Sequence, residues 1–463
     1  MAQAPAEATP PPTQPARAAS RRNWRQTLFP LNHGPHEIPA LDGLRAVAAL
    51  GVLVYHAYYS VQANLVIGGL NTTFLWNYGQ TGVHLFFILS GFLLFTPYAK
   101  AMLEGKPLPS LRRFYARRAL RIIPAYVVCL AILVALSLPQ YLSLTGLENI
   151  GLHLVFFHDD VPLFNRAIEG PMWTLAVEVQ FYLLLPLFAA VAGRLVGATR
   201  SRERVFVCVL GFIGGALLLR AIDTEIHGRL ITLHGATKTI ATLVFWLTYG
   251  VQGKYLEVFG LGMLGSVLFV IGQSAQRQRK RKHQRKYQRK ALANSTPGWP
   301  RAVGRALFVG AFPVSVALAA WANSVNIETP PYFLLYHATD LAILCGPLLV
   351  GLGYAMLVMG ALWSDGRIRA IFEWAPLRFV GLISYSLYLW HQPIIFAARP
   401  LTTALPTPLQ FPAALVVGLV VALPVAYLSY QFVERPFLQR RKQIGERAEE
   451  AFAAPASLSH SSS

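Results

Sequence analysis

Residues 41–57 read LDGLRAVAALGVLVYHA, an apolar run that after Asp42 is interrupted by Arg45 and His56. Eleven residues at 100° each return almost to the starting direction, so the two side chains share one helical face, about 16 Å apart along the axis. The apolar character extends over 42–62, close to the length that a bilayer core demands. An ionisable side chain at depth in a membrane is costly unless it faces an interior cavity. The segment therefore predicts a membrane span with a functional face.

The rest of the chain follows the same pattern. Of 463 residues, 54% are hydrophobic and only 13% charged, too few polar groups to coat soluble domains of that length. Apolar stretches of span length lie near 42–62, 80–98, 120–139, 173–193, 205–221, 255–273, 305–322, 338–361, 378–397 and 411–431. The expected fold is an all-α polytopic transmembrane bundle of about ten spans. Residues 239–253 are apolar but short and read as a re-entrant or interfacial piece.

The net charge of +20 is a topological signal rather than a nucleic-acid footprint, because the basic residues sit between apolar stretches instead of on one folded face. An even span count gathers Arg21, Arg22, Arg25, the group from Arg112 to Arg118, Arg200 to Arg204, the run RQRKRKHQRKYQRK at 277–290 and Arg440 to Lys442 on one side. By the positive-inside rule both termini are then cytoplasmic, and the protein belongs in the plasma (inner) membrane. Residues 274–304 form a basic cytoplasmic loop, with contact to anionic lipid as the alternative role for its charge. Residues 1–37 and 438–463 read as loose cytoplasmic tails around a membrane domain at 38–437. Cys129, Cys208 and Cys345 lie far apart in apolar segments, implying neither disulfides nor a metal site.

Further ionisable residues interrupt the spans. By counting, His56, Glu178 of PMWTLAVEVQ and His391 of ISYSLYLWH fall at similar depths on three helices. Such a cluster suits deprotonation of a hydroxyl, with an imidazole as base and the carboxylate orienting it or pairing with the other imidazole. Arg117, Arg118 and Arg121 meet the inner end of the third span beside Arg45, a density that suits phosphate. Arg45 has two readings, phosphate ligand or partner of Asp42. His84 joins the expected cavity from the second span, whereas Ser90 and Gly91 read as small residues for helix packing. A proton-coupled transporter is the rival class, since intramembrane His, Glu and Arg also serve proton relays, but no internal repeat accompanies them here.

The strings LDGLR at 41–45, SGFLL at 90–94, RRALRIIPAY at 117–126, WTLAVE at 173–178, YSLYLWH at 385–391 and FVERPF at 432–437 occur in an order that resembles the acyltransferase 3 family of membrane O-acyltransferases. The resemblance runs from Ile38 to Phe437 and implies an enzyme that takes an acyl group, acetyl first, from cytoplasmic acyl-CoA to a hydroxyl of a carbohydrate, lipid-linked glycan or natural product. It maps the family's essential Arg and His onto Arg45 and His56 and its fourth-span Glu onto Glu178, and sets Arg117, Arg118 and Arg121 on the CoA side. With the residues read from the spans, the catalytic candidates are His56, Glu178 and His391 and the substrate-binding candidates Arg45, Arg117, Arg118, Arg121, His84 and Trp173, without a metal. Thr174 stands where serine is commoner in the family, which keeps a hydroxyl. Some relatives carry an appended hydrolase-like domain; none is expected after Phe437, so the resemblance implies a stand-alone enzyme.

Overall fold

A computed structural model describes residues 38–62, 66–67, 70–71, 73–161, 168, 170–229, 234–248, 250, 253–286, 298–324, 340–364 and 366–440 of the 463. The expected tail at 1–37, positions 287–297 of the basic loop and the tail beyond 440 lie outside the described residues.

The fold is all-α. Its principal helices are α1 (Pro39–Val61), α2 (Gly82–Glu104), α3 (Leu111–Leu136), α4 (Leu144–Leu154), α5 (Met172–Val196), α6 (Arg202–Arg229), α7 (Gly235–Thr248), α8 (Leu256–Lys286), α9 (Gly298–Ser324), α10 (Asp340–Trp363), α11 (Gly366–Glu373), α12 (Ala375–Leu382), α13 (Ser384–Ala397) and α14 (Thr407–Val417). Beyond α14 the last helix continues through a π turn at Gly418–Ala422, α15 (Leu423–Ser429) and a second π turn at Tyr430–Glu434. A two-residue antiparallel ribbon, Val66–Ile67 with Leu70–Asn71, follows α1.

Among the described residues, eight helical stretches are long and apolar enough to cross a membrane, in Pro39–Val61, Leu75–Glu104, Leu111–Leu136, Met172–Thr199, Arg202–Ile226, Leu256–Ala275, Cys345–Trp363 and Thr407–Arg440. The two remaining expected segments fall in α9 and in the pair α12–α13, which bends at Ile383 (φ −92°, ψ 6°). The short piece at 239–253 forms α7, a helix of 14 residues. The basic loop expected from 274 begins as a continuation of α8 to Lys286, because residues 276–286 contain neither glycine nor proline to end the helix.

α1 lies at the centre, against α2, α11, α12, α13 and α14. Close crossings fix its surroundings. A Cβ on Gly91 of α2 would sit 2.1 Å from the Phe259 carbonyl oxygen of α8, so the backbones touch there as small residues allow in membranes. At the start of α1, a Cβ on Gly381 of α12 would sit 1.8 Å from the Asp42 carbonyl oxygen. At its far end, Leu53 and Ala57 pack with Leu387, Ile395, Phe411, Ala422 and Ala426 in one buried cluster. That cluster seats α1 and α13 side by side, which brings their histidines together.

Candidate active site

His391 and His56 meet on facing helices, with His391 Nε2 3.0 Å from His56 Nδ1. The tautomers follow from the backbone. His391 Nδ1 lies 3.0 Å from the Leu387 carbonyl oxygen and 2.9 Å from that of Tyr388, and carbonyls only accept, so Nδ1 carries the proton. His391 Nε2 is then an acceptor. His56 Nδ1 lies 3.0 Å from the Val52 carbonyl oxygen and therefore carries a proton of its own, shared between that oxygen and His391. In the neutral pair the remaining lone pair of His56 is on Nε2, and one imidazole orients the other as a carboxylate does in a triad. His391 is 1% exposed, and its burial holds the relay rigid.

Glu178 does not join the imidazoles. Its carboxylate accepts a short hydrogen bond from Ser90 on the wall of a neighbouring cavity of about 720 Å³, counting the open mouth. Ser90 thus bonds across the α2–α5 contact while Gly91 makes the close approach to α8, so the Ser-Gly pair divides into a polar role and a packing role. Arg45, Arg118 and Arg121 also line the cavity, three guanidiniums against the one carboxylate of Glu178. Arg118 Nε is buried without a hydrogen-bond partner among the described residues, and Arg45 Nη1 stands 4.0 Å from Asp42 Oδ1, at the limit of an ion pair. An anion with several oxygens fits this cradle, because each unmatched buried donor is costly until it is paired.

Two hydroxyls on the cavity wall bond to each other. Thr174 Oγ1 and the Tyr388 hydroxyl lie 2.8 Å apart, and both reach the Pro171 carbonyl oxygen, at 3.0 and 3.3 Å. Tyr388 connects the two halves of the site: its phenol borders the cavity, and its ring lies 5.7 Å from that of His391. Behind this wall the last helix is tied to α13, with Ser386 donating to the buried carboxylate of Glu434 and lying 3.0 Å from Ser429 Oγ.

The other expected residues are distributed elsewhere. Arg118 and Arg121, three apart, face the cavity; Arg117, about 100° round α3, is not among its lining residues. His84 and Trp173 gather around Tyr255 instead, at ring distances of 5.2 and 5.8 Å, beside a buried Arg220–Glu257 ion pair at 2.6 Å. Among the described residues no three His, Cys, Asp or Glu side chains converge to hold a metal ion.

The motif order, the paired histidines and the basic cavity agree with a match of the family model for the acyltransferase 3 domain over residues 38–430. The chain belongs to the acyltransferase 3 family. Curated relatives of this acyltransferase domain include a putative peptidoglycan O-acetyltransferase, YrhL, of Bacillus subtilis, 25% identical over 412 residues that make up 86% of this chain and 54% of the relative. The peptidoglycan O-acetyltransferase OatA of Listeria monocytogenes is 25% identical over 86% of this chain and 55% of its own length. The O-acetyltransferase OatA of Staphylococcus aureus is 23% identical over 88% and 58%. The chain thus spans somewhat over half the length of these relatives. No solved structure matches it.

Sequence reasoning missed the hydroxyl pair, the Ser90–Glu178 bond and Tyr385, whose hydroxyl donates to the Ile122 carbonyl oxygen at 2.8 Å on the cavity wall. One signal was present: Ser384, Tyr388 and His391 recur at intervals of four and three, which sets them on one face of the helix.

Proposed function

We propose that the protein is a membrane O-acyltransferase that carries an acyl group, acetyl in the first instance, from cytoplasmic acyl-CoA to a hydroxyl of a carbohydrate, glycolipid or glycosylated natural product. It works from the plasma membrane with its basic segments and both termini inside. The observation that carries this reading is the histidine relay set beside an arginine-lined cavity. The names of the relatives, peptidoglycan O-acetyltransferases among them, support an acetyl donor and a glycan acceptor.

In this mechanism the phosphates of the donor pair with Arg45, Arg118 and Arg121, where guanidinium forks meet phosphate oxygens. Glu178 balances part of that charge while the cavity is empty, held in place by Ser90. The acyl thioester advances to the Thr174–Tyr388 contact, which must part for the acyl carbon to reach His56. The acceptor hydroxyl gives its proton to His56 Nε2 as its oxygen attacks the acyl carbon; the carbon–sulfur bond then breaks, and the departing thiolate recovers the proton from the imidazolium. His391 takes part as orienting partner, stabilising the charge that develops on His56.

Calorimetric titration of acetyl-CoA into the nanodisc-embedded protein tests the donor side. Wild type is expected to bind, with affinity falling as salt rises, and Arg118→Ala to weaken it. Equal affinities would remove the arginines from the donor site.

A further inference from the structure

The cavity meets the histidine pair through Tyr388, whose ring lies 5.7 Å from that of His391; around His56 the neighbours are aromatic. Tyr55 and Tyr59 lie one turn apart on α1 with rings stacked at 5.8 Å and 28°, and Tyr59 stacks in turn on Phe396 of α13 at 6.3 Å and 23°. The His56 ring stands edge-on to both ends of this row, 4.9 Å from Tyr55 and 6.5 Å from Phe396. Exposure rises along the path: His391 is 1% exposed, His56 half-buried and Tyr59 37% exposed. The aromatic row thus leads from the surface of the bundle, near the end of α1, to the base, while the arginine cavity borders Tyr388.

We propose that Tyr55, Tyr59 and Phe396 form the acceptor platform, on which a pyranose ring lays its C–H face while one of its hydroxyls reaches His56 Nε2. This assignment rests on the O-acyltransferase reading. The chemistry selects the ligand. Aromatic faces carry negative charge density and attract the weakly positive C–H groups that a sugar ring presents on its apolar face. A ring of this kind also carries the hydroxyl that the base requires. Tyrosines at the end of a membrane span often form an interfacial belt, each ring set separately at headgroup level. Here the three rings stack on one another across two helices and flank the base, which a belt does not require.

The test follows labelled acetyl transfer from acetyl-CoA to a soluble N-acetylglucosamine tetramer by the nanodisc-embedded protein. In Tyr59→Ala the KM for the glycan should rise about tenfold, as loss of a stacking contact implies. Tyr59→Phe, which keeps the ring, should return it to within about twofold, and the KM for acetyl-CoA should stay in place in both variants. An unchanged glycan KM in Tyr59→Ala, or a Tyr59→Phe variant as impaired as Tyr59→Ala, overturns the platform. Failure of the underlying reading looks different: wild type itself would release no label to glycan or to water, and both proposals would fall together.

Discussion

Substitution of Gly381 by alanine tests how tightly the arginine cavity depends on packing outside it. Gly381 does not line the cavity, yet an added Cβ would sit 1.8 Å from the Asp42 carbonyl oxygen, where real Cβ atoms keep at least 3.0 Å. The partner atom is backbone, so no rotamer change relieves the overlap, and α1 and α12 must separate by about 1.2 Å, the difference between those distances. Arg45 lies three residues beyond Asp42 on the displaced end of α1. Misplacement of a binding group by about 1 Å costs on the order of 10²-fold in rate. Steady-state turnover of acetyl-CoA in nanodiscs, with thermal unfolding followed in parallel, should therefore show kcat/KM in Gly381→Ala reduced about 10²-fold while the protein still folds. Gly211→Ala, on an exposed face of α6 with nothing within 4 Å of the added carbon, should turn over at the wild-type rate. Wild-type kcat/KM in Gly381→Ala would refute the coupling between this helix crossing and the position of Arg45.

The histidine relay predicts non-additivity: His56→Ala and His391→Ala should each lower kcat by about 10² to 10⁴, and the double variant should be no worse than the poorer single one, whereas costs that add would show two independent groups. Arg118→Ala should raise the KM for acetyl-CoA about tenfold to a hundredfold with kcat nearly constant, since a charge-assisted hydrogen bond is worth about 1.5–3 kcal/mol; an unmoved KM removes it from the donor site. Acid should loosen the segment outside the spans where His153 and His158 stack at 3.8 Å, both fully buried next to Asp159, Asp160 and Lys254. Burial holds His153 at about 4 and His158 at about 3, below the ordinary 6.5, so an opened segment takes up protons that the closed one refuses; stability is intact above pH 6.5 and is lost as pH falls from there toward 4 and 3. At about 1.4 kcal/mol per pH unit and histidine, roughly 4 kcal/mol is gone by pH 5. Burial pushes the Asp160 carboxyl up, an opposing contribution at lower pH. Protection of the amides of residues 144–160 from hydrogen exchange, relative to the intrinsic rate at each pH, should fall between pH 7.5 and 5 and fall less in His158→Phe, and equal protection at both pH values would contradict the expectation.

Much of the fold was legible because hydropathy over span-length windows reports burial in lipid directly. The bend at Ile383 was not, since the nearest signal, Gly381, is a lone glycine in a span-length apolar run, and such a glycine is tolerated within a helix. At the site, the shared face of Arg45 and His56 and the three-residue spacing of Arg118 and Arg121 are helical periodicity, and they could be read off the chain. Which partner His56 takes could not. Counting residues from a membrane surface gives depth alone, and at similar depth His391 and Glu178 were equal candidates; the buried cluster of Leu53, Ala57, Leu387 and Ile395 selects His391 by seating α13 against α1. Glu178 is drawn instead to Ser90, a residue whose neighbouring glycine suggested packing. The hydroxyl contact between Thr174 and Tyr388 joins positions 214 apart, a distance over which no local pattern speaks.

The decisive measurement is transfer of label from acetyl-CoA by the purified protein in nanodiscs, wild type against His56→Ala. Wild type should release or transfer the acetyl group, and His56→Ala should lose that turnover while still binding acetyl-CoA. Turnover undiminished in His56→Ala, or none in wild type across a panel of hydroxyl acceptors, would contradict this expectation, and proton-coupled flux in the latter case would make the protein a transporter.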